Sequence, residues 1–175
     1  METAVRPSPA EYAPYYGRYV ALVPDGPIVE TLRTQIADTL SVLGALPEAK
    51  ADHRYESGKW SVKDVVGHVI DGERVFSYRA LRFARADETP LPGFEQDDYV
   101  VAARFDRRTL RSLLDEFRAV RDATIHLYDH LDEEALSRSG IASENRMSVR
   151  ALAWVIAGHE RHHLSVLRER YLGAR

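Results

Sequence analysis

Gly158-His159-Glu160-Arg161-His162-His163 lies inside a long amphipathic segment near the C-terminus. At about 100° per residue, a helix from Val149 to Tyr171 gathers Val149, Leu152, Val155, Ile156, Val166 and Leu167 on one face. His159 and His163 fall in the middle of that face, and Arg150, Arg161, Ser165 and Arg168 take the opposite side. Residues four apart stack one turn above the other, so two imidazoles point together into the core. Burying two basic rings side by side is unfavourable unless their nitrogens are satisfied. A divalent metal would satisfy them, since neutral imidazole is its commonest ligand. Hydrogen bonds to polar neighbours or water would also do so. A third ligand elsewhere in the chain decides between the two.

At 175 residues the chain suits a single domain with a sizeable core. The net charge of -3 offers no general attraction to nucleic acid or to an anionic membrane. The absence of cysteine excludes disulfides, thiolate metal sites and a cysteine nucleophile. No apolar run approaches the roughly 20 residues of a membrane span. The first residues lack the apolar stretch of a signal peptide, so a cytoplasmic protein is expected.

Residues 1–26 read as an N-terminal extended arm, rich in proline, whose Tyr12, Tyr15, Tyr16 and Tyr19 either pack it onto the body or line a cleft. The rest, 27–175, reads as one bundle domain. A first helix is predicted from about Pro27 to Leu46, with Pro27 at its first position and Ile28, Leu32, Ile36, Leu40 and Leu43 as its stripe. Ser61-Val62-Lys63-Asp64 is a variant capping box that starts a second helix, to about Arg85. His68 lies at the edge of its apolar face, with Gly72 one turn on leaving space beside the imidazole. Glu73 projects into the apolar stripe. It either pairs with Arg121, similarly misplaced on the third helix, or supports a metal ligand. Residues 86–106 read as a long connection in which Asp97, Asp98 and Tyr99 either rim a site or simply pack.

Asp106 is expected to cap a third helix, from about Arg107 to Leu131. This helix carries a second His-x-x-x-His, His126 and His130, but on its polar face, as solvated surface. Residues 132–147 are read as a short helical turn and a polar loop, and Ser148 as the cap of the last helix. Four long helices, no strand pattern and two long connections predict an all-α four-helix bundle with long crossover connections. His68 with His159 and His163 then gives three nitrogen ligands on facing helices. Three protein ligands leave positions free for water or substrate.

His159-Glu160-Arg161-His162-His163 also matches His-Glu-x-x-His, the metalloprotease helix in which Glu is the general base. Such enzymes usually take a third ligand well downstream and pair the helix with a sheet, and only twelve residues follow His163.

Two stretches, Lys59-Trp60-Ser61-Val62-Lys63-Asp64-Val65-Val66-Gly67-His68-Val69-Ile70-Asp71-Gly72-Glu73-Arg74 and Ala157-Gly158-His159-Glu160-Arg161-His162-His163-Leu164, resemble the DinB-like (DinB/YfiT) superfamily of metal-binding four-helix bundles. The resemblance covers about residues 27–172. It implies a metal triad on His68, His159 and His163, a divalent ion such as nickel or zinc, and a homodimer. It also implies chemistry of one of two kinds: transfer by a low-molecular-weight thiol such as bacillithiol or mycothiol, as in thiol-dependent S-transferases and a mycothiol-dependent maleylpyruvate isomerase, or metal-dependent hydrolysis. Many members carry a polar residue three positions after the last ligand, where this chain has Val166.

The expected function is therefore a metal-dependent enzyme acting on a small-molecule substrate, with thiol-dependent S-transfer ranked above hydrolysis. Glu160, between the ligands, is the candidate base, with an exposed salt bridge as its other reading. Arg79 and Arg82 are candidates to receive the anionic groups of a thiol cosubstrate, or form a solvated face. A non-enzymatic metal-binding stress-response protein, and a bundle with no metal at all, are the competing classes. A closed site would favour the former, and a site open to a cleft favours the enzyme. No helix shows the one-sided basic stripe of a nucleic-acid binder. His53 and His162 take no assigned role.

Overall fold

The computed structural model describes residues 5–173. In chain order it has α1 (Gly17–Val20), α2 (Ile28–Gly44), α3 (Val62–Ala84), α4 (Gln96–Ala103), α5 (Leu110–Tyr128), α6 (Glu133–Ser137), β1 (Ser139–Ala142), β2 (Asn145–Ser148) and α7 (Val149–Val166). The long helices α2, α3, α5 and α7 make the four-helix bundle. α5 and α7 each pack against both α2 and α3, which places α2 diagonal to α3 and α5 diagonal to α7. α2 and α3 are consecutive in the bundle yet diagonal, as are α5 and α7, so the connections 45–61 and 129–148 cross the ends of the bundle, whereas the connection after α3 joins it to its neighbour α5.

Local chemistry fixes the ends of the site-bearing helices. Ser61 Oγ accepts from Asp64 N at 3.1 Å while Asp64 Oδ2 accepts from Ser61 N at 2.9 Å, the reciprocal box that starts α3. Ser148 Oγ accepts from Ala151 N at 2.9 Å and starts α7. At its other end α7 widens into a π turn, Leu167–Tyr171.

The core is two apolar clusters separated by a polar layer. One cluster includes Leu32, Phe76, Ile125 and Ile156; the other includes Ile36, Val69, Phe117 and Leu167. Between them on α3, α5 and α7 lie Glu73, Arg121 and Glu160, all buried. Arg121 Nε and Nη2 donate to both oxygens of Glu73 at 2.8 Å, Nη2 also donates to Glu160 Oε2 at 2.8 Å, and Nη1 donates to Leu32 O at 3.1 Å. One guanidinium thereby ties all four bundle helices together. Glu73 does pair with Arg121, as one reading of the sequence holds.

Several expectations need correction. The arm is not extended throughout: Pro9–Glu11 and Pro14–Tyr16 are 3₁₀ turns, and α1 is a helical turn. It is clamped by Arg6, which donates to Val20 O at 2.9 Å and lies 4.6 Å from the Trp154 ring, and by Glu11, which accepts from Ser148 Oγ at 2.8 Å. Its backbone crosses α7 at Gly158, where a Cβ would lie 2.0 Å from Tyr19 O. Pro27 is the N-cap of α2 rather than its first helical residue.

The stretch 86–106 is not wholly a connection, because it contains α4. Asp106 does not cap α5; Thr109 does, accepting from Ser112 N at 3.1 Å. Arg104 takes a left-handed conformation (φ 52°) that ends α4 and turns Phe105 inward, onto a face opened by Gly67. Residues 139–148 form a β-hairpin where a polar loop was expected, with Ser139 opposite Ser148 and Ala142 opposite Asn145. Its two-residue turn, Ser143 (φ 48°) and Glu144 (φ 64°), has both residues at positive φ, the type I′ geometry.

Candidate metal centre

α3 and α7 pack side by side and bring the three histidines to one point. His159 Nε2 lies 3.0 Å from His68 Nε2 and 3.2 Å from His163 Nε2, and the three ligand atoms all lie within 4.8 Å of one another. A neutral imidazole Nε2 has one in-plane lobe, either an N–H or a lone pair. His159 Nε2 therefore cannot satisfy both neighbours by hydrogen bonding. A single cation can satisfy all three, and nitrogens bound tetrahedrally at about 2.0–2.1 Å sit about 3.4 Å apart. The donor set fits a divalent ion of the zinc or nickel type, which imidazole suits.

Electrostatics agree. Burial pushes His68 down to about 4, partly opposed by the charge of Asp97. Burial, with repulsion from His68, His162 and Arg18, takes His163 to about 3. Burial, then the neighbouring histidines, holds His159 well below its ordinary value. All three are neutral at pH 7, the form that binds metal. Trp60 lies 4.8 Å from the His68 ring, and Tyr19 and Phe76 meet His159 edge-on at 5.3 and 5.8 Å. Gly72 does leave space for an imidazole, but for that of His159: a Cβ there would lie 3.0 Å from His159 Cε1.

The centre opens to solvent-accessible space on two sides. A cleft of about 370 Å³ is lined by Lys59, Trp60, Asp97, His162, His163 and Tyr171, among others. A second, of about 360 Å³, includes Tyr16, Tyr19, His68, Phe76, Arg79 and His159. Gln96 and Asp97, at the start of α4, line both. Asp97 thus rims the site, one of the two roles considered for it, whereas Asp98 and Tyr99 line neither of these clefts. Tyr15, Tyr16 and Tyr19 of the arm line the second cleft, the other role considered for them, whereas Trp60 was not expected at the site, because no local pattern brings residue 60 next to residue 159. Val166 lines the first cleft and makes that part of its wall apolar.

The remaining candidates fare unequally. Glu160 is neither a base at the centre nor an exposed ion-pair partner. Its carboxylate is buried in the polar layer, accepting from Arg121 Nη2, from Thr39 Oγ1 at 2.6 Å and from Gln35 Nε2, and it lines neither cleft. That also removes the metalloprotease reading, since a base has to reach the proton it takes. Arg82 is turned away as well, held by Asp87 and Tyr78. Arg79 is at the site, in the wall of the second cleft. His126 and His130 are exposed, as expected. His53 is exposed and meets Tyr171 edge-on, and His162 lines the first cleft.

These features define a helical-bundle protein with a three-histidine centre open to clefts. Residues 31–167 match the model of the DinB superfamily, and the chain belongs to that superfamily. It is 24% identical over 139 residues, 78% of each chain, to an Oceanobacillus iheyensis protein named as an inferred metal-dependent hydrolase. Its fold is that of YfiT from Bacillus subtilis, described as an inferred metal-dependent hydrolase with an unusual four-helix bundle topology (TM-score 0.73, 15% identity, 97% of this chain and 94% of that one). It is also similar to a mycothiol-dependent maleylpyruvate isomerase (TM-score 0.66, 12% identity), over 78% of this chain and 58% of the isomerase. Among the described residues no helix is long and apolar enough to cross a membrane.

Proposed function

We propose that the protein is a metal-dependent enzyme that joins a low-molecular-weight thiol to a small electrophile at His68, His159 and His163. The observation that carries this reading is the meeting of three neutral imidazole nitrogens with two clefts. A divalent ion held there would lower the pKa of a thiol or water placed against it towards neutrality, making either available as a nucleophile. His68, His159 and His163 would hold such an ion. The cleft with Lys59 and His162 admits the thiol; the cleft with Tyr16 and Arg79 admits the electrophile. Trp60, Tyr19 and Phe76 fix the imidazole planes.

Thiol is ranked above water as the nucleophile on the family resemblance. The ion would make either available, and the Glu160 carboxylate, committed to Arg121, is not placed to assist a water. The likeness of fold to a mycothiol-dependent isomerase supports the same choice. In the transfer itself the sulfur forms a bond to carbon, the leaving group departs with its electron pair, and the thiol proton goes to solvent.

The test is to load metal-free protein with nickel or zinc and offer a simple thiol with 1-chloro-2,4-dinitrobenzene, and separately p-nitrophenyl acetate without thiol. Adduct formation that requires both metal and thiol, and is lost in His68→Ala, is the expected result. Metal-dependent ester cleavage without thiol, and no adduct, would make the protein a hydrolase instead.

A further inference from the structure

The second cleft contains a buried cation with no carboxylate in ion-pair contact, although Glu95 and Asp97 lie in the same lining. Arg79 is 2% exposed. Its Nη2 donates to Pro92 O at 3.0 Å and to Ser143 Oγ at 2.9 Å. Among the described residues no carboxylate lies within 4 Å of it, and Nε and Nη1 have no protein acceptor. The sealed side-chain atoms without partners are Gln35 Oε1, Trp154 Nε1 and Arg161 Nε, so the free nitrogens of Arg79 are not sealed, and the residue lines both this cleft and an adjoining one with Tyr78 and Leu91. Its near neighbour Arg82 has Asp87, and Arg121, equally buried, has two glutamates. A buried charge left unpaired is costly, and a guanidinium nitrogen without a protein acceptor can donate a charge-assisted hydrogen bond to a carboxylate.

The rest of the wall says what the anion is attached to. His68, Gly72, Phe76 and Arg79 follow one another at helical spacing along α3, so the same face runs from the metal ligand to the guanidinium. Arg79 Cζ lies 6.0 Å from the Phe76 ring centre. Tyr16, from the arm, meets Phe76 edge-on at 6.1 Å, and Tyr19 meets His159. The arm is held in place by its crossing at Gly158, so these rings form a fixed aromatic wall.

We infer that this cleft binds a planar organic anion of the aryl carboxylate class, its carboxylate accepting from an unpartnered nitrogen of Arg79 and its ring against Tyr16 and Phe76. In the proposed reaction this molecule is the electrophile, so the inference deepens that reading and rests on it only for the ligand's role. Binding itself needs no metal and no turnover.

Benzoate, cyclohexanecarboxylate and benzamide are titrated into the full-length protein by calorimetry, once metal-free and once loaded. Benzoate is expected to bind in both forms, about fivefold tighter than cyclohexanecarboxylate through ring contacts. Benzamide, lacking the charge, is expected to be about tenfold weaker or more, and Arg79→Gln to lose a similar factor for benzoate. Tyr16→Leu is the second variant, chosen because half-buried Tyr16 lies outside the bundle. It should abolish the preference for benzoate over cyclohexanecarboxylate while keeping carboxylate binding. Equal binding of benzoate and benzamide, or benzoate affinity unchanged in Arg79→Gln, would overturn the inference. So would benzoate binding only when metal is present, which would place the carboxylate on the ion. Benzoate binding as described in a protein without transferase activity would overturn the proposed reaction and leave this site standing.

Discussion

His159 and Glu160 are consecutive, yet they serve two different buried polar centres. His159 joins His68 and His163, three bases with no acid among them and a shared nitrogen that cannot satisfy both neighbours. Glu160 joins Glu73 and Arg121, where both Glu73 oxygens, both Glu160 oxygens and every guanidinium nitrogen have partners. The charges of the second centre are all paired as it stands, and they hold the four helices in register. The first is complete only with something added. Burial of a polar group thus has two signatures: a closed network marks architecture, and an unmet one beside a cleft marks a ligand.

Breaking the closed centre should have the largest effect. Arg121→Ala leaves two buried carboxylates unpaired and should cost about 3–5 kcal/mol in denaturant unfolding. A loss below 1 kcal/mol would mean that the network is not what joins the helices.

The open centre should reveal itself through acid. Unfolded histidines take up protons below about 6.5, whereas folded His68 and His163 do so only at about 4 and about 3. Protons therefore favour the unfolded chain, and metal-free stability is highest above pH 6.5 and falls as the pH drops from there towards 4. The His68 contribution lost between pH 7.5 and pH 5 is about 2 kcal/mol. Urea titrations of chelator-treated protein at the two pH values should show this, with a smaller drop in His68→Ala. Equal drops in the two proteins would place His68 in water.

Glu160→Gln separates the centres most sharply. It removes a charge from the closed network and should destabilise by about 1–2 kcal/mol, yet metal content should not change. Loss of metal with stability intact would return Glu160 to the role its position between the ligands suggests. The smallest effect belongs to His126→Ala and His130→Ala, which repeat the four-residue spacing on an exposed face of α5. Each should stay within about 0.5 kcal/mol in stability, with full metal content.

The helix stripes and the inward-facing His159 and His163 were legible because each depends on periodicity within one helix, whereas His68, on another helix, joined them through its edge position and the family resemblance. The pairing of Glu73 with Arg121 was legible because both charges fall on apolar stripes. The position of Glu160 was not. From Val149 to Glu160 every residue of α7 except Arg150 is buried, so that part of the helix has no polar face from which a wheel could place a charge. α4 escaped notice because only Val100 is buried along it. The hairpin did so because Ser143-Glu144 fills a turn that usually announces itself with glycine or asparagine. The arm's tyrosines and Asp97 reach the centre by tertiary routes that no local pattern encodes.

The most direct test of the central claim is elemental analysis of protein purified without an affinity tag or chelator, beside its His68→Ala variant. The structure predicts about one divalent ion per chain, absent from the variant. No ion in the native protein even after nickel or zinc is added, or an ion retained in His68→Ala, would contradict it.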